Sequence, residues 1–398
     1  MGRRLRASPW VWAALALSLV FAWQALTVRA NYGGNWTGLF RTGHAAAVPP
    51  RLAPGTFRNA NPVGYDGQYY RMLAHDPFLR RDTASYLDAP LLRSRRILVP
   101  LAAWALVGGS DSWIDGAYVL VVAACVFLGV YALAKTMQLY GRHAAWGLLF
   151  LIVPAAPIAV DSMTVDVAIA ALTACFAYRL ASGSDRGLWW ILASACLVRE
   201  TGVLLAVACV LVALAKRDVR KASLWASAVL PTLVWYGYLY QVLPPAALAE
   251  GIVPKWFYPH ANAGILVRAI DPPRHLQLAA SLQGPTRALD FVALLATILT
   301  IAAGIALVRK MRPAAMGAAF LLYLGLVLAA TDKDFWNTPY GYTRPIVPVF
   351  VLPLVAAGSI REQWVLPAVA VLPALVELRI LGEMQTQAMG VLRLLTHS

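Results

Sequence analysis

Of the 398 residues, 60% are hydrophobic and 13% charged, about half the charged share of a soluble domain, roughly 25%, which excludes a soluble globular chain. Lys and Arg outnumber Asp and Glu 34 to 19, for a formal net charge of +15. Most of that positive charge flanks apolar runs or lies in one arginine-rich loop. This argues against nucleic acid as a partner and for anionic lipid headgroups and lipid-linked phosphates.

The chain opens with Arg3, Arg4 and Arg6, followed by an apolar run over residues 9–28. That run is longer than a signal h-region and has no small-residue cleavage site, so it predicts an uncleaved signal-anchor helix. A long polar loop, 29–112, comes next, and inside it Ile97 to Val107 is apolar but too short to cross a bilayer. Membrane-length apolar runs then fall at about 113–134, 144–160, 164–181, 222–243, 288–308, 314–330, 345–358 and 364–380. A second long loop covers 244–287, and Cys125, Cys175, Cys196 and Cys209 all sit in apolar runs without disulfide or metal spacing.

Cytoplasmic loops collect Lys and Arg, and here the short basic connections are the N-terminus, Lys135 to Arg142, Arg179 to Arg186, Lys216 to Lys221, Arg309 to Arg312, and Arg361. All fall on one side if Ile97–Val107 stays at the outer interface and 187–215 forms a hairpin with Arg199-Glu200-Thr201-Gly202 at its tip. The expected fold is therefore all-α: one polytopic transmembrane bundle over 1–398 with about eleven spans. Its N-terminus is inside, its C-terminus outside, and interfacial helices lie in the first outer loop. Most carboxylates then land outside, which places any chemistry on the extracytoplasmic face of the inner membrane.

Gly64-Tyr65-Asp66-Gly67-Gln68-Tyr69-Tyr70 is the most pointed stretch. Asp66 reads as a general base, its proton affinity expected to rise by burial among Tyr65, Tyr69 and Tyr70; an Asp-Gly pair is also simply a turn. His75 and Asp76 follow on the same loop as supporting residues. Arg71, Arg93, Arg95 and Arg96 offer guanidinium forks for a lipid phosphate, and each alone also suits snorkelling to headgroups. Asp161 and Asp166 flank the start of one span, as helix caps or as active groups. Arg199 and Glu200 form an ionisable pair near membrane depth, functional or pinning the hairpin. Arg344, at the outer mouth of a late span, offers a further phosphate contact or anchors that helix with its neighbouring tyrosines. His75, His260 and His275 lack a zinc-site spacing, and a divalent cation stays an open question.

These pieces resemble the GT-C superfamily of polytopic glycosyltransferases, and most of all its bacterial cell-surface glycopolymer formation proteins. The resemblance runs from about residue 9 to 358. It is carried by Tyr65 to Tyr70, Ala74-His75-Asp76-Pro77, Leu87-Asp88-Ala89-Pro90, Arg95 to Pro100, Pro154 to Asp161 with Asp166, Leu197 to Gly202, and Tyr342-Thr343-Arg344-Pro345 to Pro348. It implies a GT-C-like fold, a catalytic Asp at position 66, and a polyprenyl-phosphate-linked sugar entering from the outer leaflet. The sugar passes with inversion to an envelope glycan, lipid or protein acceptor. The chain departs from the pattern at Leu92, where an aromatic is usual, and has no Glu-x-Glu pair. A transporter or flippase of lipid-linked sugars is the alternative, although internal repeats are not visible.

Overall fold

The computed structural model describes residues 8–249, 264–271, Pro273, His275 and 280–396. The basic N-terminal segment, His260 and most of the 250–279 part of the second long loop lie outside them.

Helix α1 spans Pro9–Asn31, its proline in the first turn where no amide hydrogen is needed. The first loop carries α2 (Gly67–His75), α3 (Pro90–Arg95) and α4 (Leu98–Leu106). Then come α5 (Asp111–Leu139), a 3₁₀ helix (Ala144–Ile152), α6 (Ala155–Ser162), α7 (Asp166–Ala181), α8 (Leu188–Val198) and α9 (Val203–Ala215). The remainder is α10 (Val219–Ser227), α11 (Leu230–Val242), α12 (Pro245–Leu248), α13 (Gly264–Ile270), α14 (Ala280–Leu307), α15 (Ala314–Ala329), α16 (Pro339–Tyr342), α17 (Pro348–Ser359), α18 (Val365–Glu383) and α19 (Gln385–Thr396). The described residues contain no β-strand, only the isolated bridges Thr42 to Gly64 and Gly43 to Asn59.

Among the described residues, four helices are long and apolar enough to cross a membrane: α1, α5, α14 with its following turn, and α18. The 3₁₀ helix and α6 make a fifth if taken as one span bent by 64°. Pro154 at the bend cannot donate the hydrogen bond that would continue the helix. These apolar helices suggest a membrane-embedded protein. Two expected spans are broken: 144–160 at Val153-Pro154, and 222–243 at Ala228-Val229, between α10 and α11.

The core centres on α17, where every residue from Pro348 to Gly358 is buried. An all-round apolar helix must sit inside others. Close packing elsewhere rests on small residues: a Cβ on Gly129 of α5 would fall 2.2 Å from the Phe150 ring.

Basic connections meet at one end of the bundle. Arg142 donates to the carbonyls of Gly358, Ile360 and Glu362, and Trp12 of α1 lies against His143. Arg179, Ser184, Asp185, Lys216, Lys221 and Pro313 line one cavity of about 220 Å³, and Lys221 pairs with Asp185 at 2.7 Å. The start of α8 therefore lies beside the end of α9, so the two helices form a hairpin with Arg199–Gly202 at its far tip. Gly202 is needed there, since a Cβ would lie 2.1 Å from the Ala195 carbonyl oxygen. Helix α4 stays at the far end too: Arg96, just before it, pairs with Glu200, and Asp111, just after it, pairs with His75.

Candidate functional site

At the far end, Asp66, Leu92, Arg93, Arg96, Arg199, Glu200, Asp334, Phe335, Gly341, Arg344 and Pro345 enclose a cavity of about 270 Å³. Five segments distant in sequence build it: the start of α2, α3, the α8–α9 tip, the 331–338 turn, and the approach to α17.

Asp66 sits at the entry to α2, and its backbone carbonyl accepts from the amides of Tyr69 and Tyr70 at 3.0 and 3.3 Å. Its side chain caps nothing. The glycines beside it are there for space. Gly64 has φ +73°, and a Cβ on Gly67 would lie 2.1 Å from the Ser162 carbonyl oxygen. Helix α2 can thus begin directly against the end of α6, and the Asp-Gly pair opens a helix rather than forming an isolated turn.

The Asp66 carboxylate is clamped. Its Oδ2 accepts from Arg344 Nη2 at 2.5 Å and from Arg93 Nη1 at 2.9 Å. Burial pushes its proton affinity up, but the two guanidiniums outweigh burial and hold it well below the usual carboxylate range. The expectation of a raised proton affinity is corrected on this point: the tyrosines do surround the residue, yet two cations reach it first. The Tyr65 hydroxyl accepts from Arg344 Nη1 at 3.2 Å, and burial pushes that phenol up.

The other guanidiniums are shared in the same manner. Arg93 also makes a bidentate pair with Asp88, at 2.8 Å on both nitrogens. Arg96 grips Glu200 at 2.5 and 2.9 Å and donates to the Tyr70 hydroxyl at 3.3 Å. Arg344 extends its Nε to Asp166 at 2.5 Å, and Arg199 pairs with the other oxygen of that carboxylate. Asp166, wholly buried, thus joins two arginines across 145 residues of sequence; it lies in the first turn of α7 without capping it. The Arg199 Nε is buried with no hydrogen-bond partner. Arg199 is therefore the one of these four guanidiniums with a stranded donor.

Several expected members stand apart from the cavity. Arg71 forms a bidentate pair with Asp115 at 2.7 and 2.8 Å and also donates to Thr56. It holds α2 to α5 and is not in the phosphate-binding position expected of it. Arg95 lies over the Tyr236 ring at 5.9 Å, also outside the lining. His75 places its two ring nitrogens 2.8 and 3.2 Å from Asp111 and Asp115, and Asp76 accepts the backbone amides of Arg80 and Arg81. His275 pairs with Asp290. Asp161 closes α6 rather than starting α7. It pairs with Arg41 and accepts from the Tyr340 hydroxyl at 3.1 Å. No group of three His, Cys, Asp or Glu side chains placed to hold a metal ion occurs among the described residues.

Reading the sequence alone leaves out Asp334 and Phe335 as cavity walls, Asp88 as the second partner of Arg93, and Arg41 as the partner of Asp161. Asp88 stands in the Leu87-to-Pro90 segment that carries the resemblance, so there was a signal for it. For Arg41 there was none, because its partner is 120 residues away. Comparison with protein-family models, with curated proteins and with solved structures finds no match to this chain.

Proposed function

We propose that this chain is an inverting glycosyltransferase of the cytoplasmic membrane with a GT-C-like fold. It takes a sugar from a polyprenyl-phosphate donor and passes it to an envelope glycan, lipid or protein acceptor on the extracytoplasmic side. The observation that carries this reading is the Asp66 carboxylate, held by Arg93 and Arg344 in a cavity that Arg96 and Arg199 also line, at the end of the bundle away from the basic connections. By the positive-inside rule those connections are cytoplasmic, and the cavity opens to the other side. About eleven crossings follow if the 3₁₀–α6 pair, α7, the α8–α9 hairpin, α10–α11, α15 and α17 each traverse with the four longer helices.

The chemistry runs in one displacement. An acceptor hydroxyl attacks the anomeric carbon, its proton passes to Asp66, and the bond from that carbon to the phosphate oxygen breaks. The leaving polyprenyl phosphate gains one negative charge. Arg93, Arg96, Arg199 and Arg344 line the cavity and would hold it, since guanidinium forks match phosphate oxygens.

A lipid-linked-sugar flippase is the second reading, favoured by the interrupted helices at Pro154 and Arg199, a feature of transporters. Transfer from radiolabelled polyprenyl-phosphate sugars in reconstituted vesicles separates the two. Product from wild type and none from Asp66→Asn supports the enzyme. Equal product from both removes Asp66 as the base. Donor movement across the bilayer without product favours the flippase.

A further inference from the structure

Asp66 as it stands is a poor base, because Arg93 and Arg344 both donate to its Oδ2 and favour the charged carboxylate over the protonated one. Both arginines also line the cavity that the donor phosphate would enter. Neither depends on Asp66 alone: Arg93 keeps its bidentate grip on Asp88, and Arg344 keeps Asp166 through Nε. A phosphate can therefore draw the Nη donors of both away from Asp66 without stranding either guanidinium.

We propose that Asp66 is masked in the substrate-free protein and is released as a base when a prenyl phosphate competes for Arg93 Nη1 and Arg344 Nη2. This rests on the transferase reading and specifies its order: donor first, acceptor second. The masking has a chemical use. A strong base beside an anomeric carbon would activate water as readily as a sugar hydroxyl, so tying basicity to the seated donor shortens the time in which water can be activated. Four cavity arginines against Asp66, Glu200 and Asp334 leave little spare cationic charge, so the phosphate must compete rather than fill a vacant cradle.

Competition has a signature that simple charge removal elsewhere does not. If Asp66 and the phosphate contend for the same donors, neutralising Asp66 should tighten phosphate binding even as it abolishes transfer. The probe is farnesyl phosphate, with farnesol as the uncharged control, titrated by intrinsic tryptophan fluorescence or calorimetry against the full-length protein in lipid nanodiscs. Asp66→Asn is expected to bind farnesyl phosphate about tenfold or more tightly than wild type, a change of roughly 1.4 kcal/mol. Farnesol should bind both equally. Asp66→Glu keeps the competing charge and should stay near wild type. Asp66→Ser supplies a second neutral side chain, so the comparison survives if the amide variant is not recovered folded.

Equal or weaker binding by the neutral variants, with wild type still binding farnesyl phosphate in preference to farnesol, overturns the masking and leaves the transferase reading standing. Failure of wild type and all variants to distinguish farnesyl phosphate from farnesol overturns both.

Discussion

Arg344 is the residue on which the site's geometry can be tested most directly. It is buried and joins Asp66 and Asp166, each at 2.5 Å, through different nitrogens. Arg344→Gln removes the cation that both carboxylates share. Removing one partner of a buried pair costs about 3–5 kcal/mol. Here the lower end applies, about 3 kcal/mol, because Arg93 still serves Asp66 and Arg199 still serves Asp166. Arg344→Lys keeps the charge, but one ammonium cannot reach both carboxylates as a guanidinium fork does. It should lose about one charged hydrogen bond, roughly 1.5–3 kcal/mol. Unfolding in nanodiscs, followed by tryptophan fluorescence, reads both, with exposed Arg361→Gln as a control expected to match wild type. Pairing Arg344→Gln with Asp66→Asn should cost less than the sum of the two, since the double variant leaves no stranded charge at position 66. Wild-type stability in Arg344→Gln, or strict additivity in the double variant, would refute the idea that this bridge holds the site.

Four further outcomes are expected. Gly67→Ala places a methyl 2.1 Å from the Ser162 carbonyl oxygen and should destabilise the protein by about 1–3 kcal/mol as α2 is pushed off α6. Gly116→Ala, with open space around its Cβ inside α5, should instead stabilise by roughly 0.5–1 kcal/mol, and the same melting assay ranks the two. Because Asp66 is held below the usual carboxylate range, its contribution to stability is present above that range and is lost only as pH falls through the depressed value. In Arg93→Gln that value rises towards the ordinary one, so acid unfolding should begin at higher pH than in wild type. Cysteines introduced as Ser85→Cys and Ser184→Cys should react with an impermeant maleimide from opposite faces of sealed vesicles; labelling from one face would overturn the proposed topology.

The α8–α9 hairpin was legible because Lys and Arg bracket it on both sides, so the number of crossings between them must be even. That argument needs no three-dimensional knowledge. The confinement of Ile97–Val107 to one end was legible for a similar reason, since eleven residues are too few to cross. Asp66 stood out through its aromatic neighbours. Its electrostatic environment did not, because Arg344 is 278 positions away and no local pattern announces a pair that remote. Separations of 120 and 104 positions likewise hid Arg41 behind Asp161 and Glu200 as the partner of Arg96. Breaks within expected spans fall at prolines: Pro154 marks one bend, and Pro231, in the first turn of α11, marks the other. Short-range signals thus locate the loops and turns, and the bundle alone decides which charges meet.

Helix α17 touches protein on all sides, and Arg344 leaves its first turn by only a few residues. In a bilayer such a helix gains nothing by hiding from water, since its neighbours are as apolar as the lipid it gave up; only shape holds it in place. The guanidinium is therefore hung from the part of the molecule least able to shift without its surroundings shifting too. A methyl lost from Val351 or Leu354, far from any ligand, would be felt at the cavity as a change in where that arginine points.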